Sequence, residues 1–244
     1  MIQQSQKAGH VPAFYFIFMN KRLTAIASYI EDGRGVIDVG TDHGYLPVYL
    51  AKSGYKGRIL ASDINAAPLS TALRTAERAE IKDKVELLLC DGLENCPPDA
   101  VDSIVIAGMG GDTICGILDR AEWCMDRAYT LILQPMTKAE ILRYWLVNNE
   151  FEICAESLIQ EGGSIYQLLV ARFGGRTTLS DAELFTGRFT LIENDPLFEA
   201  QRMKLENRFE KALKGINGAD SPVLSGKGAL FRGILQGLKE MKRN

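Results

Sequence analysis

Histidine is almost absent from this 244-residue chain, which has only His10 and His43, and its five cysteines include no CxxC pair. Too few ligands stand at usable spacing for a thiolate or imidazole metal site, so no metal is expected. An odd, irregularly spaced cysteine set also argues against a disulfide framework. Free thiols in a reducing cytoplasm are the plain reading of Cys90, Cys96, Cys115, Cys124 and Cys154. Long apolar runs are missing too. The densest, VPAFYFIFM at 11–19, falls well short of the roughly 20 residues a membrane span needs. The QQSQKAGH before it is a poor signal-peptide start, and no small-residue cleavage site follows. These absences predict a cytoplasmic protein with no membrane partner, and residues 1–18 read as an extension ahead of Met19.

What is present is ordinary globular composition, 46% hydrophobic and 24% charged, with a net charge of -3. That small total conceals a sign change along the chain. Residues 1–171 carry 15 Lys+Arg against 22 Asp+Glu, whereas 172–244 carry 13 against 9. An acidic body with a basic C-terminal piece suits an anionic partner docking on the latter, although solvated helix faces explain the charges equally well.

From residue 20 the hydrophobic pattern is regular. RLTAIASYI (22–30) spaces Leu23, Ile26, Ala27 and Ile30 as one helical face, ending at Gly33. Five short β-rich runs follow, at 35–40, 58–64, 85–92, 101–111 and 128–135. Helical segments separate them at 45–53, 66–80, 112–120 and 137–149. Residues 151–175 read as two strands about a Gly-Gly turn. Alternating strands and helices, with each strand a nearly continuous Val/Ile/Leu run, predict an α/β, doubly wound, mostly parallel sheet with an antiparallel closing strand. After residue 175 the pattern becomes helical and charged. Phe198, Leu205, Phe209, Ala212 and Ile216, interrupted by Arg202, form one stripe, and Phe231, Ile234, Leu238 and Met241 a second. The two predict a coiled-coil-like helical hairpin joined by NGADSPVLSGKG, with a domain boundary near 175.

Ligands of such sheets bind where the strands end. Past the first strand stand Asp38, Gly40, Thr41, Asp42, His43, Gly44 and Tyr45; past the second, Ser62, Asp63 and Ile64; past the third, Asp91 and Gly92. The fourth ends in Gly108, Met109, Gly110 and Gly111, and the fifth in Gln134 and Pro135. A glycine-bearing turn lets backbone approach a ligand, an acid after the second strand can accept both ribose hydroxyls, and Asp91 can reach an adenine amino group. The first turn, DVGTDHG, lacks G-x-G-x-x-G, and its two aspartates would repel a diphosphate. Adenosine joined to a cationic sulfonium suits it better. This points to S-adenosyl-L-methionine and a Rossmann-like class I methyltransferase.

VIDVGTDHGYLPVYL, IAGMGG and LILQP together closely resemble the bacterial tRNA methyltransferases that modify N1 of adenine 22, the TrmK family. The resemblance runs over roughly 20–175 and extends to the helical hairpin. Two departures stand out: Thr41 where serine is usual, and Met136 where the family usually shows asparagine. The resemblance implies a tRNA partner and a methyltransferase domain over 19–175, with 176–244 binding RNA. In that reading Asp38, Gly40, Asp42, His43, Asp63, Ile64, Asp91, Gly92, Gly108 and Met109 hold the cofactor.

The reacting base would meet Asp42, His43, Tyr45, Met109 and Gln134. Asp42, His43 and Tyr45 are candidates to hold the N6 amino group or accept a proton, and Tyr45 equally to stack on a base. His43 also reads as a packing residue, GMGG as a plain turn before a helix, and Gln134 as pocket wall. Arg202, Lys204, Arg208, Lys211 and Lys214, with Arg232, Lys239, Lys242 and Arg243, offer phosphate contacts, as do Arg22 and Arg34 nearer the site. Two alternatives remain: a non-catalytic tRNA-binding protein that keeps the cofactor fold, and a methyltransferase acting on a non-RNA substrate. Oligomeric state is left open, a monomer included.

Overall fold

A computed structural model describes residues 21–216 and 222–241. The expectations for residues 1–18, Met19, Lys242 and Arg243 lie outside the described residues. The sheet has seven strands: β1 (Val36–Val39), β2 (Ile59–Asp63), β3 (Val85–Leu89), β4 (Ser103–Gly110), β5 (Thr130–Thr137), β6 (Phe151–Glu161) and β7 (Ser164–Phe173). Their order is β3-β2-β1-β4-β5-β7-β6. The first five run parallel, β7 runs antiparallel to β5, and β6 antiparallel to β7. Chain direction across the sheet reverses between β1 and β4, the switch point at which such sheets open a crevice.

Alternation explains why the central strands are apolar throughout. Ile37, Ile104, Ile106, Leu131 and Leu133 point into one core, shared with α4 (Gly111–Asp119) and α5 (Ala139–Asn148). Val36, Val105 and Ile132 point into the other, under α1 (Lys21–Ala27), α2 (Tyr45–Lys52) and α3 (Ala66–Arg78). A strand buried on both faces has no solvent side on which to place polar residues. The edge strand β3 is only half covered. Helix α1 is shorter than its apolar spacing predicts. It ends at Ala27, and the amides of Tyr29 and Ile30 donate to carbonyls three residues back, in tight turns.

The hairpin of β6 and β7 turns at Gly162 and Gly163, both at positive φ (55° and 78°), as a two-residue hairpin loop demands. Because β7 pairs with β5 only as far as Leu133↔Leu169, the residues before Leu169 run on past the paired part of β5 towards its carboxyl end. This overhang carries the C-terminal helices to the end of the sheet where ligands bind. They are α6 (Asp181–Thr186), α7 (Phe189–Ile192), α8 (Phe198–Ile216) and α9 (Pro222–Glu240). Phe198, Leu205, Phe209, Ile234, Leu238 and Met241 form a third core with Leu158 of the overhang.

Two features differ from the sequence expectation. α9 begins at Pro222, inside the stretch expected to be a connector; proline's fixed φ suits a first helical turn. Gly228 within it lies opposite Ile216 of α8, where a Cβ would make ordinary van der Waals contact at 3.7 Å. Arg202, expected to face RNA, is instead tied down between the helices. It donates to Glu199 (2.8 Å), Glu206 (2.5 Å) and the Leu238 carbonyl (3.5 Å), with a side chain 12% exposed. Its charge is spent inside the hairpin.

Candidate active site

Five strands deliver the candidate residues to one edge. β1 contributes a strand buried at all four positions, one of which is Asp38. Burial pushes the Asp38 carboxyl up to about 6, while a hydrogen bond donated by the Thr41 hydroxyl (2.7 Å) pulls the other way. The turn that follows is pinned to β2: the amides of Gly40 and Thr41 both donate to the Ser62 carbonyl (2.8 and 2.9 Å). Gly40 has a φ of 72°, and a Cβ there would lie 2.2 Å from the Met109 methyl. Glycine suits this φ, and a side chain here would displace the Met109 methyl. The β1 turn and the β4 turn therefore touch through Met109.

Beyond Gly40 the chain rises to the surface. The Asp42 side chain is exposed, and its carboxylate lies 3.5 Å from His43 Nε2, too long for a strong hydrogen bond. The His43 and Tyr45 rings stack at 5.2 Å with an interplanar angle of 11°. Asp63 ends β2 with one oxygen accepting from the Asn65 amide (2.9 Å). Next to it Ile64 is 59% exposed, and Leu89 at the end of β3 is 60% exposed. Two aliphatic side chains left in water at adjacent strand ends suit a flat aromatic ring. Leu89 went unnoticed in the sequence because it ends an apolar run that reads as core. Asp91 already pairs with Arg120 (2.9 Å), which also reaches Glu94 (3.4 Å); an exposed pair of this kind is weak enough to be exchanged. Gly92 turns beside it.

The ladder between β4 and β5 skips Gly108, and the resulting bulge puts Met109 opposite Pro135. Gly108 has open space where a side chain would stand. Gly111 is its opposite: a Cβ there would lie 2.2 Å from the Lys138 carbonyl, so the β4 and β5 turns are packed backbone to backbone. Lys138 also clasps Asp112 (2.6 Å), which holds that carboxyl below the usual range.

Gln134 and Arg22 need correction. Gln134 is fully buried, donating to the Pro135 carbonyl (2.9 Å) and accepting from Arg22 Nη1 (3.0 Å). It does not present a free amide to a reacting base; it positions Arg22. Arg22 in turn pairs with Glu161 (3.2 Å), touches the Met136 sulfur (3.3 Å) and lies 4.8 Å over the Tyr166 ring. Its charge is therefore already balanced. Arg34 is at the wrong end of the sheet, before β1, where it bonds Asp102 (2.7 Å). Lys204, Arg208 and Lys211 share one face of α8, and no ion pair engages them among the described residues.

The residues along this edge fit S-adenosyl-L-methionine: carboxylates at Asp38 and Asp63, exposed aliphatic side chains at Ile64 and Leu89, and no G-x-G-x-x-G cradle for a diphosphate. A seven-stranded sheet in this order, with that set along its carboxyl edge, defines a Rossmann-like methyltransferase. A family model described as "Methyltransferase domain" matches residues 19–169. The tRNA (adenine(22)-N(1))-methyltransferase of Bacillus subtilis (strain 168) is 32% identical over 185 residues, 74% of this chain and 78% of the relative. The crystal structure of the B. subtilis M1A22 tRNA methyltransferase TrmK superposes with a TM-score of 0.82 at 29% identity, covering 91% of this chain and 98% of that one. A candidate tRNA (m1A22) methyltransferase from Streptococcus pneumoniae, solved in complex with S-adenosyl-L-methionine, gives 0.79 at 32% identity, over 91% and 99%. The chain belongs to the family of tRNA (adenine(22)-N1)-methyltransferases.

Proposed function

We infer that this chain transfers a methyl group from S-adenosyl-L-methionine to N1 of adenine 22 in tRNA, in the cytoplasm. The observation that carries the reading is the contact between the two family-bearing turns. Met109 of the AGMGG segment rests on Gly40 of the aspartate-rich turn, so cofactor and base sites share one wall. The cofactor supplies an electrophilic methyl group on a sulfonium.

The protein's task is placement. Adenine N1 has a lone pair at neutral pH, so no base is needed to make the nucleophile. Aligning that lone pair with the methyl–sulfur bond and excluding water supply much of the acceleration. Asp38 would hold the cationic methionine end, Asp63 the ribose, and Ile64, Leu89 and Asp91 the adenine ring. The space beside Gly108 admits the target base, which must leave the folded tRNA core to reach it. The His43–Tyr45 stack at the mouth offers a surface for that base or its neighbour, and Asp42 is placed for its N6 amino group. Among helices α6 to α9, α8 holds the RNA through Lys204, Arg208 and Lys211.

The test is transfer from labelled S-adenosyl-L-methionine into bulk bacterial tRNA lacking the modification, followed by nucleoside analysis. The expected product is 1-methyladenosine, reduced by about 100-fold or more in Asp38→Ala and Asp42→Ala. Cofactor binding without incorporation would return the chain to a non-RNA substrate or a non-catalytic role.

A further inference from the structure

A groove of about 230 Å³ lies beside the active site, lined by residues 135–140 at the end of β5 and the start of α5, by Tyr166 and Gln167 of β7, by Phe185 of α6, and by α8. Three observations mark it as a site for a ligand. Gln201 lines it and is only 4% exposed, yet its amide oxygen has no hydrogen-bond partner. Buried acceptors are almost always satisfied, so an unpaired one on a side chain that lines a groove calls for a donor, which a turn of that side chain brings within reach. Lys204 and Arg208 also line the groove, and neither has a carboxylate partner among the described residues. The Arg208 guanidinium lies 5.7 Å over the Phe185 ring and 5.6 Å over the Phe209 ring. A guanidinium packed against aromatic rings keeps its N–H donors available to an oxyanion. Glu140 is the acidic member of the lining, and Lys138 is already committed to Asp112.

We propose that this groove between β5 and α8 is an RNA subsite for the nucleotide adjoining the methylated adenine. Lys204 and Arg208 take its phosphate, and the orphan Gln201 oxygen accepts from its ribose 2′-hydroxyl. The proposal rests on the methyltransferase reading. Position favours a flanking nucleotide over a free anion: Pro135 in the groove wall is the ladder partner of Met109, so the occupant lies one strand from the target base. The volume holds about eight waters at ~30 Å³ each, enough for one sugar–phosphate unit but not a helix or a peptide strand. A 2′-hydroxyl is also the donor that separates RNA from DNA.

The experiment uses the full chain and tRNA transcripts carrying a single 2′-deoxy substitution on either side of adenine 22. Methyl-transfer KM and kcat are measured together with tRNA Kd against salt. One of the two deoxy substitutions should raise KM about fivefold, the loss of one hydrogen bond. Gln201→Met should do the same, and the two together should cost no more than either. Lys204→Gln with Arg208→Gln should lower the log Kd–log salt slope by about 1 to 2, with cofactor Kd unchanged. The deoxy transcripts test the groove without altering the protein, so misfolding of a variant cannot mask the answer. Deoxy substitutions that leave KM unchanged, or that add fully to Gln201→Met, would overturn the proposal. If the wild-type chain methylates no tRNA, the methyltransferase reading fails instead, and the salt slope still tests the groove.

Discussion

Asp38 sits in a strand buried at all four positions, and the fold is less stable for it. An aspartate in the unfolded chain titrates near 3.9, whereas burial pushes Asp38 up to about 6. The native state thus binds the extra proton between these values, so stability falls as pH rises through that window and stays lower above it. The cost at neutral pH is on the order of 3 kcal/mol, at ~1.4 kcal/mol for each pH unit of displacement. Asp38→Asn should therefore raise the melting temperature of the cofactor-free protein at pH 7.5, by an amount that shrinks towards pH 5. Calorimetry should meanwhile show cofactor affinity falling about tenfold or more, the usual loss for a charge-assisted contact. Such a carboxylate was legible from its strand-end position. The neighbouring Leu89 was not, because exposure on a half-covered edge strand leaves no mark in an apolar run.

The central strands and the helices between them were readable because glycine, proline or aspartate bounds most of the apolar runs, whereas the end of α1, the end of β3 and the start of α9 lie three or more residues from their expected places. What stayed hidden is how elements are fastened. Arg143 and Glu156, both 1% exposed, form an ion pair (2.6 Å) linking α5 to β6. Arg143 also donates to the Leu184 carbonyl (2.9 Å) and to Gln167 (2.6 Å), and Glu156 accepts from the Arg188 amide (2.5 Å). In sequence Arg143 reads as an ordinary polar helix residue, because its partners lie 13 to 41 positions away. Arg143→Met should cost about 3–5 kcal/mol in urea unfolding by stranding a buried carboxylate. Adding Glu156→Leu should restore much of it. A double variant no more stable than Arg143→Met alone would show that the pair's own strength dominates.

At the scale of the molecule, sheet and helical region are less separable than the change of pattern near residue 175 implies. The Ile153 amide donates to Thr177 (2.9 Å) and the Leu158 amide to Asp195 (2.9 Å), while Leu158 packs into the helical core. A chain ending at 175 would lose these bonds and both backbone partners of the buried pair. It should melt on the order of 10 °C lower, given ~2–4 °C per kcal/mol for chains of this size. A thermal scan would show this, and an unchanged melting point would establish two independent domains. RNA binding by α8 is therefore better tested by charge substitution than by deletion. The sheet order carries a further consequence, for synthesis on the ribosome. β7, the last strand made, sits between β5 and β6. Until Phe173 has emerged, the apolar edge Leu131–Leu133 has no neighbour and β6 no partner, so the nascent chain carries an open sheet edge through some forty further residues of translation.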